Sequence, residues 1–169
     1  GYYYNKKYFK KVKKEIIKHY KLNNNSKILD IGCAKGFMMH EFRYFLPNAE
    51  IWGLDISKYC KSKALYTEKK FIKLGSCHDL PFKNNYFDFI VSISTIHNLS
   101  EKKIPLALKE IERVKKGKSF IRVKGYKNYE EKKFIDDWNI VAKSNLGIKM
   151  WKNLFKTYNY TGDYDFGKY

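Results

Sequence analysis

The stretch that decides the fold is Lys27-Ile28-Leu29-Asp30-Ile31-Gly32-Cys33-Ala34-Lys35-Gly36, in which a short apolar run leads directly into a loop with two glycines. An apolar run of this length, bounded by glycine, is typical of a buried strand. Glycines allow the backbone to approach a ligand closely, and a helix that follows such a loop presents free N–H groups. The stretch therefore predicts a strand, a ligand-binding loop and a helix, in that order.

Strands and helices alternate along the rest of the chain. The predicted strands are residues 27–31, 50–55, 71–74, 86–93 and 119–123, with strand-like aromatic residues between 160 and 169. The predicted helices are residues 6–20, 35–45, 58–66, 103–114, 130–142 and 148–155. This spacing is typical of βαβ units around a parallel sheet. We therefore expect an α/β fold in which helices cover both faces of a mostly parallel sheet.

The length and composition fit one domain. A chain of 169 residues can bury a core without disulfides or metals. We expect a single domain over residues 1–169, with an N-terminal helical segment (1–22), a core (27–125) and a C-terminal part (126–169). The three cysteines form no CxxC pair, which argues against a zinc site and predicts free thiols. No apolar run approaches the ~20 residues of a membrane span and no secretory signal is visible, so we expect a cytoplasmic protein without a membrane partner.

The formal charge of +18 makes nucleic acid one candidate partner. Nearly all of this charge is lysine, since the arginines are only Arg43, Arg113 and Arg122, and lysine is the weaker indicator of phosphate and base recognition. The lysines are spread along the whole sequence instead of clustering in one tail. We interpret the charge as a solvated basic surface, and RNA stays an alternative partner.

The glycine loop differs from two common phosphate-binding loops. A P-loop would end in Gly-Lys-Ser or Gly-Lys-Thr, whereas Gly36 is followed by Phe37. A dinucleotide fingerprint counted from Gly32 would need glycines where Ala34 and Phe37 stand. Asp30 beside the loop would repel a pyrophosphate, but its carboxylate suits the cationic sulfonium and α-amino groups of S-adenosylmethionine.

The second predicted strand ends in a carboxylate, Asp55, at the edge where ligands bind in an open α/β sheet. This carboxylate could accept hydrogen bonds from both hydroxyls of a ribose. The alternative is that Asp55 caps the helix that begins near Ser57. Because the glycine loop lies upstream, we favour the ribose contact.

Several ordered motifs resemble those of class I S-adenosylmethionine-dependent methyltransferases. Residues 28–36 resemble the family's first motif, and Gly53-Leu54-Asp55-Ile56-Ser57 resembles its acidic second strand. Residues 75–82 with 85–90 resemble the adenine loop and fourth strand, and residues 92–99 resemble the segment that lines the active site. The resemblance covers about residues 10–125. It implies a Rossmann-like three-layer α/β/α sandwich with a sheet of six to seven strands, the C-terminal one antiparallel.

The resemblance also implies which residues hold the cofactor. Asp30, Gly32 and Gly36 would hold the methionine end, Asp55 would hold the ribose, and Ile56 would pack on adenine.

The adenine contact differs from the family's usual pattern. The family often has an acidic residue that bonds the adenine amino group, and this chain has Ser76 at that position. Adenine would therefore rely on the Ser76 hydroxyl or on the backbone N–H of Cys77. No metal ligand is predicted. The predicted cofactor contacts are Asp30, Gly32, Cys33, Ala34, Gly36, Phe37, Asp55, Ile56, Ser76, Cys77, His78 and Ser92.

The function that the resemblance implies is methyl transfer from S-adenosylmethionine, with S-adenosylhomocysteine as product. We expect a small-molecule acceptor, such as a sugar or other metabolite, in a pocket formed by the N-terminal helix, the His97 loop and the segment after Val123. His97 could deprotonate an acceptor hydroxyl, or it could be a polar residue that shapes the pocket. Tyr2, Tyr3 and Tyr4 could close over the cofactor or form a frayed end, and we favour closure. The alternatives are an RNA methyltransferase that uses the lysine-rich surface and a cofactor-binding interaction subunit without activity of its own.

Overall fold

The computed structural model describes residues 3–138 and 143–167, and in this part of the chain helices and strands largely alternate. The helices are α1 (Lys6–Tyr20), α2 (Phe37–Phe45), α3 (Lys58–Ser62), α4 (Ile104–Val114), α5 (Tyr129–Trp138) and α6 (Ile148–Thr157). The strands are β1 (Lys27–Ile31), β2 (Glu50–Asp55), β3 (Ile72–Leu74), β4 (Phe87–Ile93), β5 (Lys115–Val123) and β6 (Asp163–Phe166). The predicted α/β architecture is confirmed, with β1, β2 and α1 at their predicted bounds.

The strands form one sheet in the order β3-β2-β1-β4-β5-β6, and every neighbouring pair is parallel. Chain order reverses direction at β1, so that β2 lies on one side of this strand and β4 on the other. In an open parallel sheet such a reversal leaves a crevice at the carboxyl ends of the strands, where ligands bind. The glycine loop after β1 therefore lies at this crevice.

The last strand differs from the expectation. An antiparallel C-terminal strand was predicted, but β6 runs parallel to β5, with Phe120 paired to Asp163 and Val123 paired to Phe166. The antiparallel prediction is wrong because α5 and α6 lie between β5 and β6 in the chain. They carry the chain back to the amino-terminal end of β5 before β6 begins. The strand is also shorter than the predicted segment 160–169, of which residues 168–169 lie outside the described part.

Two of the predicted boundaries that moved have a local reason. The helix α2 begins at Phe37 and not at Lys35, because Gly32, Ala34 and Gly36 adopt positive φ angles and extend the loop. The strand β5 begins at Lys115, directly after α4, because a Cβ at Gly117 would lie 2.3 Å from the carbonyl oxygen of Asp88 and glycine alone allows this approach. The predicted helix 130–142 is described as far as Trp138, because residues 139–142 lie outside the described part.

Helix α1 is fastened to α2, beside the glycine loop. Lys13 and Glu41 form an ion pair with 3.1 Å between Nζ and Oε2, and both side chains are buried. The hydroxyl of Tyr4 donates a hydrogen bond to the same carboxylate. Met38 and Met39 of α2 belong to the buried core. Because an unpaired buried charge is costly, this pair fixes where α1 lies relative to the crevice.

Among the described residues, no helix has the length and apolar character needed to cross a membrane.

Candidate functional site

The glycine loop is shaped by close backbone contacts. The N–H groups of Gly32 and Cys33 both donate to the carbonyl oxygen of Leu54, at 2.7 and 3.1 Å, which ties the loop to β2. Gly32 has a φ of +77°, and a Cβ there would lie 1.9 Å from Oγ1 of Thr95. The Thr95 hydroxyl donates to the carbonyl oxygen of Ile31 at 3.2 Å, which holds it in this position. Glycine is therefore required at position 32 by conformation and by space.

A cavity of about 540 Å³ lies at the carboxyl ends of β1, β2 and β4. It contains seven of the predicted cofactor contacts, drawn from three separate parts of the sequence. These residues are Gly32, Ala34, Asp55, Ile56, Ser76, Cys77 and His78. We call this space the strand-end cavity.

The carboxylate of Asp55 is held in place by two backbone N–H groups. Oδ2 accepts from the N–H of Ala34, and Oδ1 accepts from the N–H of Ser57, both at 2.8 Å. Ser57 itself caps α3, since its hydroxyl accepts the N–H of Cys60 at 3.1 Å. Each carboxylate oxygen keeps a second lone pair. Asp55 is therefore an oriented acceptor on the cavity wall, and the helix-capping role falls to Ser57.

The wall opposite the glycine loop combines an apolar side chain with a polar edge. Ile56 is 76% exposed and covers the cavity with a branched aliphatic side chain. Ser76 shares a hydrogen bond with Nδ1 of His78. Cys77 is buried between them, and this burial raises the pKa of its thiol to about 11. A flat heterocycle could pack on Ile56 with its polar edge facing Ser76, Cys77 and His78.

A second cavity of about 360 Å³ lies on the other side of the glycine loop, beneath the start of α1. The two cavities share four wall residues, so they adjoin at the loop; these residues are Gly32, Ala34, Ile93 and Ser94. Tyr3, Asn5, Tyr8, Phe9 and Phe37 contribute to its wall. We call it the α1 cavity.

Asp30 lies on the wall of the α1 cavity and is almost fully buried. Burial, and then the neighbouring carboxylate of Asp55, raise the pKa of Asp30 from 3.8 to about 7. Among the described residues that line this cavity there is no lysine or arginine. A cationic ligand near Asp30 would therefore relieve an unfavourable buried charge.

Tyr3 lies on the wall of this cavity, and closure of the N-terminal tyrosines over the cofactor stays a prediction. The ring of Tyr4 packs on Phe37 with 5.4 Å between ring centroids. Phe9 contacts the same ring at 5.8 Å. Tyr2 lies outside the described residues. Aromatic rings therefore line one side of the α1 cavity, and Tyr4 supports them from behind through Phe37.

Two predicted contacts lie away from both cavity walls. Gly36 faces the core instead, where a Cβ would lie 2.9 Å from Cβ of Glu68. Ser92 is fully buried within β4, and the next two residues, Ile93 and Ser94, line the cavities. Side chains alternate between the faces of a strand, so a shift of one residue moves the contact to the other face.

His97 lies in a turn after β4 and is 4% exposed. Its Nδ1 faces the backbone N–H of Lys124 at 3.5 Å, and it is not among the described residues that line either cavity. Burial, with a smaller effect of the Lys124 charge, lowers the pKa of His97 to about 4. The ring is therefore neutral near pH 7, and its Nδ1 acceptor is directed to the end of β5. Its catalytic role stays a prediction.

Sequence reasoning missed several wall residues. Thr95 and Asn98 line the strand-end cavity, and Tyr8 and Phe9 line the α1 cavity. Thr95 could have been identified as a wall residue from its position just after the fourth predicted strand, where ligands bind in an open parallel sheet. Tyr8 and Phe9 belong to the N-terminal helix, which was expected to form part of the acceptor pocket, but sequence alone does not indicate which of its residues reach the crevice.

Comparisons with known proteins agree with this geometry. The family model described as a methyltransferase domain matches residues 29–122. An uncharacterized protein of Methanocaldococcus jannaschii is 34% identical over 113 residues, which is 67% of this chain and 41% of that protein. The demethylmenaquinone methyltransferase of Thermotoga maritima is 33% identical over 100 residues, which is 56% of this chain and 41% of that enzyme. The chain thus spans about two fifths of the length of these curated relatives.

The fold also matches a solved structure. The YcgJ protein from Bacillus subtilis superposes with a TM-score of 0.72 at 22% identity, covering 86% of this chain and 66% of that chain. The family model covers more than half of the sequence, including the glycine loop, β2 and β4. Its class uses S-adenosylmethionine as cofactor. The chain therefore belongs to the methyltransferase-domain family of class I S-adenosylmethionine-dependent methyltransferases.

Proposed function

We propose that this chain transfers a methyl group from S-adenosylmethionine to a small-molecule acceptor. The observation that carries the proposal is the pair of cavities that adjoin at the glycine loop. One has an oriented carboxylate and an apolar wall, and the other is a smaller space of about 360 Å³ with aromatic walls. The name of the Thermotoga maritima relative, which refers to demethylmenaquinone, supports a small acceptor.

The residues of the strand-end cavity fit an adenosine. Gly32 lies on the cavity wall without a side chain, so the backbone there can approach a ligand. The two fixed oxygens of Asp55 suit a pair of ribose hydroxyls. We infer that Ile56 packs on the adenine ring and that Ser76, Cys77 and His78 bound its edge.

The residues of the α1 cavity fit the methionine end and the acceptor. When bound, the cofactor supplies a methyl group that its sulfonium makes electrophilic. Asp30 offers a carboxylate to the cationic groups beside it. The rings of Tyr8, Phe9 and Phe37 on its wall exclude water and limit how the acceptor can lie. Holding two reactants in line can contribute about 7–11 kcal/mol to lowering the barrier.

The absence of lysine and arginine among the described wall residues of the α1 cavity favours an uncharged acceptor over RNA. The adjoining strand-end cavity has Lys103 and Lys143 on its wall, whereas the α1 cavity, where we place the acceptor, offers no cation to a polyanion. The small volume also suits a metabolite better than a polymer.

The test is a transfer assay with radiolabelled S-adenosylmethionine and a cell extract separated into small molecules, RNA and protein. We expect label in the small-molecule fraction, and no transfer by Asp55→Ala. Label confined to RNA would contradict the acceptor class. Cofactor binding without label in any fraction would favour an interaction subunit. Asp137→Ala, which removes an exposed carboxylate on α5, is the matched control.

A further inference from the structure

We propose that a surface beside α3 binds single-stranded RNA, independently of the methyl acceptor. We call it the basic-aromatic surface, and its residues are Arg43, Lys61, Tyr66, Lys69, Lys70 and Phe71. They surround an open cavity of about 730 Å³ between the end of α2 and the start of β3. The proposal concerns a docking site, so it does not depend on which molecule accepts the methyl group.

The charge of this surface is one-sided. Residues 56–78 contain six lysines and a single acidic residue, Glu68. Glu68 is fully buried, and its carboxylate is bonded to Arg43 at 3.1 Å. Within the described part of the chain, Lys61, Lys69 and Lys70 form no ion pair. The cavity therefore presents lysines to solvent with no exposed carboxylate among its wall residues to offset them.

Aromatic rings lie among these lysines. Tyr66 is 95% exposed, so its ring gains nothing from packing in the core. Phe71 lies behind it on the cavity wall, with Arg43 at 4.1 Å and Lys70 at 4.9 Å from its ring centroid. An exposed ring bordered by cations is the arrangement on which unpaired bases stack while the neighbouring phosphates are neutralised.

The combination favours a single strand over other polyanions. Bases in a duplex are stacked on each other and offer only their outer edges, so Tyr66 could not use its ring on them. A membrane or an acidic peptide would pair with the lysines but does not present a succession of flat heterocycles that could stack on the ring. The concave shape of the site also suits a base between two phosphates better than a flat lipid surface.

The surface adjoins the cofactor loop through the backbone. The N–H of Leu65 donates to the carbonyl oxygen of Lys35 at 3.0 Å, and Glu68 packs against Gly36. RNA bound at Tyr66 would therefore lie next to the segment that carries the glycine loop, without entering the α1 cavity.

The test is fluorescence anisotropy of the whole chain with labelled single-stranded RNA of about ten nucleotides. The triple change Lys61→Gln, Lys69→Gln and Lys70→Gln removes three of the cations. Its matched control changes three exposed lysines of α6, Lys149→Gln, Lys152→Gln and Lys156→Gln, which removes the same charge elsewhere.

A second pair of variants tests stacking on the exposed ring. Tyr66→Ala removes the ring, and Tyr129→Ala is the control, because Tyr129 is 79% exposed on α5. Circular dichroism verifies that each variant is folded.

We expect the first triple variant to lower the salt dependence of binding by a slope of about 2, from about 0.7 per lost phosphate contact. Tyr66→Ala should weaken binding by about fivefold or more, and both controls should bind as the unchanged chain does. Equal weakening by the two triple variants would overturn the proposal, because it would mean a diffuse attraction to the overall charge. Full binding by Tyr66→Ala, or tighter binding to duplex RNA or phosphatidylserine vesicles than to the single strand, would overturn it as well.

Discussion

The substitution Asp30→Asn should stabilise the protein, and increasingly so as the pH rises. Asp30 is buried on the wall of the α1 cavity, and its pKa rises from 3.8 to about 7 on folding. The folded protein therefore holds this proton more tightly than the unfolded chain does. The contribution of the protonated group to stability is complete below pH 3.8 and is lost as the pH rises through about 7.

The size of the effect follows from the shift. A rise of about 3 pKa units at 1.36 kcal/mol each costs the wild-type fold about 4 kcal/mol above pH 7. Near pH 5 the cost is about 2 kcal/mol, because the carboxyl is then ionised in the unfolded chain and neutral in the folded one. The asparagine variant cannot ionise. Its advantage over the wild type should thus grow by about 2–3 kcal/mol between pH 5 and pH 8.

Urea unfolding of both proteins at these two pH values measures this difference. Any fixed effect of exchanging a carboxyl for an amide cancels, since it is the same at both pH values. A stability difference between the two proteins that does not change with pH would refute the reasoning. So would a variant that becomes relatively less stable as the pH rises.

Three further predictions concern other parts of the fold. Gly32→Ala should lower the free energy of unfolding by about 1–3 kcal/mol and abolish cofactor binding, because its Cβ would meet the Thr95 side chain; unchanged thermal unfolding would contradict this. His97→Asn should lower kcat by less than about tenfold, since His97 is buried away from both cavity walls; a loss of about a hundredfold or more at unchanged cofactor affinity would show a catalytic base. Lys13→Met should lower the free energy of unfolding by about 3–5 kcal/mol by leaving Glu41 buried without its partner, and an unchanged melting curve would count against the role of this ion pair.

Much of the sheet could be predicted because its central strands are apolar runs that end in ligand-binding residues. The bounds of β1 and β2 and the positions of Asp55 and Ile56 follow from local sequence, since each residue lies directly after a recognisable strand. The direction of β6 does not follow in this way. It depends on how α5 and α6 cross the sheet, and no residue within the strand encodes that path.

The wall of the α1 cavity shows the same limit of sequence reasoning. Phe37 was predicted from its place directly after the glycine loop, whereas Phe9 is an apolar residue on a helix whose pattern is equally consistent with a core position. What brings them to the cavity is the docking of α1 on α2, through a contact between Lys13 and Glu41 that are 28 residues apart. Ser92 and Ile93 illustrate it within one strand, because neighbouring residues point to opposite sides of the sheet and of these two only Ile93 lines the cavities.

The central claim is that the strand-end cavity holds S-adenosylmethionine through Asp55. Isothermal titration calorimetry of the unchanged chain, Asp55→Ala and the control Asp137→Ala tests it most directly. We predict saturable binding of one S-adenosylmethionine by the unchanged chain and the control, and affinity at least tenfold weaker, about 1.4 kcal/mol, for Asp55→Ala with its fold intact. Equal affinity in all three proteins would contradict the claim.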